Sequence, residues 1–85
     1  MTFSDLPEEQ QKIVRSLYNE WQANPTGPGL YGDALAKQTG LHVQDLIKEV
    51  QRLEARRVVK TGEAYDDDLL GWVQLTDYGR ELREG

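Results

Sequence analysis

Residues 35–59 read LAKQTGLHVQDLIKEVQRLEARRVV. Leu35 and Ala36 belong to a helix-competent stretch that opens at Gly32 and is stopped by Thr39 and Gly40. A second pattern then starts near His42, with Leu46, Val50 and Leu53 at i, i+4 and i+7 and with Val43 and Ile47 widening the stripe. Apolar residues at that period share one face of an α-helix, and burying that face is what stabilises it. The spacing therefore predicts a short helix over 32–38, a tight glycine turn, and a longer helix over 42–57. Val58, Val59 and Lys60 follow as a strand.

Toward the N-terminus, Ile13, Val14, Leu17, Tyr18 and Trp21 form another helical stripe, opposite Lys12, Arg15, Ser16 and Asn19. A first helix is predicted over 5–23, with Asp5 as cap, Glu8 at capping-box spacing and Pro7 in the first turn. The breakers Asn24, Pro25, Thr26, Gly27, Pro28 and Gly29 end it. Leu30 and Tyr31 allow only a short strand. Toward the C-terminus, residues 61–68 are polar and 69–75 read as a strand returning along 58–60, which makes a β-hairpin. Alternation puts Leu69, Gly71, Val73 and Leu75 on one face of that strand and Leu70, Trp72 and Gln74 on the other. Thr76 then caps a short closing helix over 76–84 that holds Leu82.

Eighty-five residues allow one domain, predicted over 1–85, of class α+β. With no cysteine there are no disulfides and no thiolate metal site. Ten basic against fifteen acidic residues leave a net charge of −5, the wrong sign for a general nucleic-acid coat. Binding through a local basic face is still open. No apolar run approaches the roughly 20 residues that span a bilayer, so no membrane role is expected. The opening Met1, Thr2, Phe3, Ser4 and Asp5 lack the cationic start and apolar stretch of a secretory signal, and a cytoplasmic protein is expected.

The order helix, short strand, helix, turn, helix, hairpin, short helix resembles the winged helix-turn-helix superfamily. Leu35, Ala36, Gly40, Leu41, Leu46, Val50, Leu53, Val58 and Val59, then Leu75, Thr76 and Gly79, carry the resemblance. Their spacing is similar to that of MarR-type and related bacterial repressors, whose wing closes with Leu-Thr-x-x-Gly, and it covers residues 32–82. The resemblance implies a three-helix core with a two- or three-stranded β-wing and a short C-terminal helix. It further implies a small DNA-binding transcriptional regulator that places its third helix in the major groove of double-stranded DNA.

At 100° per residue from Leu46, the outer arc of the third helix holds Gln51, Gln44, Ala55, Lys48 and Arg52, from about 140° to about 240°. No acid falls within that arc. Gln44, Gln51, Lys48 and Arg52 are the candidate base-contacting residues: an amide matches an adenine edge, the cations reach guanine, and small Ala55 allows close approach. Residues 42–60 carry a net +2, against −2 for 1–41 and −5 for 61–85. Arg56, Arg57 and Lys60 at the helix exit, with Lys37 on the preceding helix, are the candidate phosphate contacts. A plainer role for Arg56 and Arg57 is to complement the negative end of the helix dipole.

Two departures from the family pattern matter. The hairpin carries Glu63, Asp66, Asp67 and Asp68, and the stretch Asp67, Asp68, Leu69, Leu70 lacks the arginine that MarR-type wings bring to the minor groove. Position 57 holds arginine where relatives use glycine to end the helix, so a different exit geometry is expected. An alternative is a winged-helix protein-interaction module that uses the acidic hairpin with Tyr65, Leu70 and Trp72. Against that, Trp72 can simply cover the first helix or the core edge. Tyr18 and Trp21 fit either the core or a homodimer seam. His42 is the sole imidazole and no catalytic constellation is recognisable, so no enzymatic role and no cofactor are expected. The three aspartates lack EF-hand spacing and are read as a solvated tip, with no metal.

Overall fold

In the computed structural model, which describes residues 2–27, 29–62 and 71–82, a 3₁₀ turn at Phe3–Asp5 leads into α1 (Glu8–Ala23). There follow β1 (Leu30–Tyr31), α2 (Gly32–Thr39), α3 (Val43–Ala55), β2 (Val59–Thr61), β3 (Trp72–Leu75) and α4 (Asp77–Glu81). Among the described residues this is an α+β arrangement of four helices and one antiparallel sheet of order β1-β3-β2. It is compatible with a winged-helix-like layout. No helix of the described residues is long and apolar enough to cross a membrane.

The N-terminus corrects one expectation. α1 starts at Glu8, not at residue 5, and Asp5 does not cap it. Asp5 instead turns back on Thr2, accepting from its backbone N–H at 2.8 Å and its hydroxyl at 3.1 Å. These bonds stabilise the carboxylate and hold its pKa below the usual range. The turn they close lays Phe3 and Leu6 into the core, and Gln11 fastens it by donating to the Leu6 carbonyl at 2.7 Å. The stripe of α1 thus begins at Gln10 and continues through Ile13, Val14 and Leu17, all buried.

The core forms where α1, α2, α3 and the inner face of the sheet meet, and includes Leu35, Leu46, Val50, Leu53, Val58, Val73 and Leu75. Each such side chain contributes roughly 1.5–3 kcal/mol by leaving water. α2 ends on Gly40 at φ +74°, whose N–H bonds the Ala36 carbonyl, and that left-handed residue turns the chain into α3. Val43 does not widen the buried stripe of α3. It lies in the first turn and is 43% exposed, because a residue at a helix end is covered only if a neighbouring element extends past that end.

α3 stops at Ala55, two residues short of the expected end, and its exit keeps the left-handed geometry that the arginine was expected to change. Arg57 adopts φ +64°. The Val58 N–H bonds the Leu53 carbonyl at 3.0 Å and the Arg57 N–H bonds that of Glu54 at 2.9 Å. This is the paired pattern of a Schellman end, completed by burial of both Leu53 and Val58. Holding a non-glycine residue there costs about 1–2 kcal/mol.

The sheet explains the Leu-Thr-x-x-Gly signature. Val59 pairs with Leu75 and Thr61 with Val73, while β1 closes the other side through Leu30 with Val73 and Tyr31 with Trp72. Thr76 donates its hydroxyl to the Arg57 and Val58 carbonyls and accepts from the Gly79 N–H at 3.0 Å, which caps α4. A Cβ on Gly79 would overlap the Val58 carbonyl oxygen, so only glycine lets α4 lie against the exit of α3. Among the described residues the return strand covers Trp72–Leu75, with Gly71 just before it outside the strand, and the closing helix ends at Glu81. Residues 63–70 and 83–85 lie outside the described residues.

Candidate nucleic-acid interface

α3 is positioned by its inner stripe, so its outer arc follows from the packing of Leu46, Val50 and Leu53. Gln44, Lys48, Gln51 and Ala55 are all exposed. The acids of α3 flank this arc, with Asp45 and Glu49 at about 260° and 300° and Glu54 at about 80°. Two of them are engaged: Glu54 accepts the Thr61 hydroxyl at 2.7 Å, tying α3 to β2, and Glu49 accepts from both α1 and Arg52.

Arg52 differs from the other three candidates. Its Nη1 lies 2.8 Å from Glu49 Oε1, with the arginine side chain 60% exposed and the glutamate 12%. The arc is therefore free of acid at its centre and screened at the Arg52 edge. The other carboxylate oxygen of Glu49 accepts from Gln10 Nε2 at 2.9 Å. Beside this pair an open groove is lined by Glu9, Leu41, Asp45, Lys48, Glu49 and Arg52. Its three carboxylates make that flank, which Lys48 also borders, unfavourable for phosphate, whereas Gln44, Gln51 and Ala55 do not line the groove.

The phosphate candidates divide between the two ends of α3. Lys37 lies in the last turn of α2, next to the Gly40 turn, and Arg56, Arg57 and Lys60 lie at the exit. All four are exposed, and the thirteen residues of α3 separate the two groups by about 20 Å along its axis. Arg57 owes its position to the left-handed exit. His42 precedes α3 in extended conformation and is exposed, and its carbonyl accepts the Leu46 N–H at 2.8 Å.

Of the alternative residues, Tyr65 and Leu70 lie outside the described residues, as do Asp66, Asp67 and Asp68. Trp72 is half-buried on the outer face of the sheet, against Gly62 and paired in register with Tyr31. Tyr31 is 52% exposed and was not foreseen, because the β1–β3 pairing joins residues 41 and 43 positions apart and leaves no local signal. Trp21 is half-buried, its ring 5.7 Å from Tyr18 and 5.0 Å from the Arg80 guanidinium, so this side chain links α1 to α4.

Gln10 and Glu49 were missed as well. Gln10 falls three residues before Ile13, on the same stripe, so its burial could have been read from the spacing. No pattern along the chain could have joined it to Glu49, 39 residues away. No family model and no curated protein matches this chain, so the reading of this surface rests on its own geometry.

Proposed function

We propose that the chain is a winged helix-turn-helix domain that binds duplex DNA with α3 in the major groove, and that it acts as a small transcriptional regulator without chemistry of its own. The order of elements and the β1-β3-β2 sheet support this reading. The observation that carries it is the exposed, acid-free arc of Gln44, Lys48, Gln51 and Ala55 on a helix anchored by three fully buried residues. An α-helix fits the major groove, where glutamine matches adenine and lysine matches guanine. Lys37 at one end of α3 and Arg56, Arg57 and Lys60 at the other would set the register on the backbone. The net charge of −5 keeps attraction to arbitrary sequence weak, so recognition depends on the base edges.

Titration of labelled duplexes, selected from a random library, at several salt concentrations tests this. Affinity is expected to fall as salt rises. Lys48→Ala is expected to weaken binding well beyond the surface control Lys12→Ala. Absence of salt-dependent binding to any duplex removes the reading.

A second reading has one observation in its favour. Tyr31 and Trp72 stand side by side on the outer face of the sheet, and an aromatic pair there suits a protein partner. Recovery of such a partner that is lost in Tyr31→Ala, with duplex binding absent, would favour it.

A further inference from the structure

We infer that Glu49 is a positioning residue which presents Arg52 to a guanine and withdraws its charge from sequence-independent binding. This rests on the duplex-binding reading above.

An arginine paired three residues away on a helix surface is commonplace, and such pairs are usually mobile. Here the carboxylate is held by a second bond. Glu49 Oε2 is fastened from a different helix by Gln10 Nε2 at 2.9 Å, and Gln10 is only 2% exposed. Oε1 then takes Arg52 Nη1 at 2.8 Å. Gln10, Glu49 and Arg52 thus form a chain from the core of α1 to the edge of the outer arc of α3. Its inner end is buried and its outer end is exposed.

Two consequences follow from the chemistry of the guanidinium. It has five N–H donors in a fixed plane, and the bond to Glu49 leaves others on the exposed end for the O6 and N7 of guanine. A side chain already held in one orientation loses less freedom on binding than a free arginine. At the same time the pair carries no net charge, so Arg52 adds little attraction toward phosphates of any sequence. Glu49 raises specific binding and lowers non-specific binding through the same two bonds.

The buried amide of Gln10 supports this. Among the described residues its Oε1 has no hydrogen-bond partner. A buried unsatisfied carbonyl opposes stability, and an apolar side chain at that place in the stripe would avoid it. The glutamine is therefore poorly explained by packing and well explained by its hold on Glu49.

The test compares wild type, Glu49→Gln, Gln10→Met and Arg52→Ala on duplexes selected by the wild-type protein and on single-base-pair variants of them. Arg52→Ala should abolish discrimination at one G·C pair. Glu49→Gln should reduce discrimination at that same pair about tenfold, tighten binding to unrelated duplex, and steepen the salt dependence by about one unit of slope. Gln10→Met, which should fold at least as stably, should reduce the same discrimination several-fold. A purely structural role would change stability without moving either the discrimination ratio or the salt slope. Unchanged discrimination in Glu49→Gln, at the pair that Arg52→Ala loses, overturns the inference and leaves the duplex-binding reading in place. No selected duplex at all overturns both.

Discussion

Two helices of this domain end in a left-handed residue, and they do so with different chemistry. α2 turns on Gly40 at φ +74°, where a Cβ would meet no atom within 4 Å. α3 turns on Arg57 at φ +64°. The glycine adopts its conformation without steric cost, whereas the arginine sacrifices about 1–2 kcal/mol. What holds the second end is not the residue but its surroundings. These are the two Schellman bonds, the buried Leu53 and Val58, and the Thr76 hydroxyl on the Arg57 carbonyl. A turn whose residue is favourable needs no tertiary support, and a turn that has such support tolerates an unfavourable residue.

The largest effect should come from removing that support. Gly79→Ala drives a methyl into the Val58 carbonyl and should cost about 3 kcal/mol, read as a fall in the denaturant midpoint at unchanged slope. A loss below about 1 kcal/mol would show that α4 does not brace the exit. Next, Gly40→Ala should cost about 1–2 kcal/mol through backbone strain alone, since the site has room for the methyl. An equal loss at both glycines would dissolve the distinction between a strained turn and a steric block.

Arg57→Gly reverses the sign. Relief of strain, less the added freedom of the unfolded chain, should stabilise the domain by about 0.5–1 kcal/mol and raise Tm by a few degrees. The same variant should bind duplex more weakly, with a salt slope shallower by about one. Stabilisation with unaltered binding would mean that Arg57 serves no phosphate. The smallest effect belongs to Asp5. Its folded pKa lies below the unfolded value, so the stability it contributes is present at neutral pH and is lost as pH falls through the folded pKa. Asp5→Asn should therefore lower Tm slightly at pH 7 and leave it equal to wild type once the carboxylate of the native protein is protonated. A difference that persists in acid would show that shape, not charge, matters at that turn.

Much of the helical layout was legible along the chain. Leu46, Val50 and Leu53, and likewise Ile13, Val14 and Leu17, announce their faces by spacing, and all six are buried. The glycine turn at Gly40 and the capping role of Thr76 were legible for the same reason, since the Gly40 bond to Ala36 and the Gly79 bond to Thr76 are local, whereas the Thr76 bonds to Arg57 and Val58 were not. Where the reading failed, the deciding partner was remote or at an element's end. Val43 shares the inner side of α3 in sequence yet is exposed, and Asp5 bonds backward to Thr2 instead of forward to α1. Position 57 was read from the residue type, while its conformation is imposed from outside.

The amino-acid order by itself determined which residues share a helical or strand face, because periodicity is a property of the backbone and needs no partner. Only the tertiary structure decided that Tyr31 stands beside Trp72, that Arg57 turns left-handed, and that Glu49 is held by Gln10 and holds Arg52 in turn. Those outcomes depend on contacts between residues far apart in the chain. Folding selects such contacts through the sum of burial and hydrogen bonding over the whole molecule, and no local pattern contains that sum.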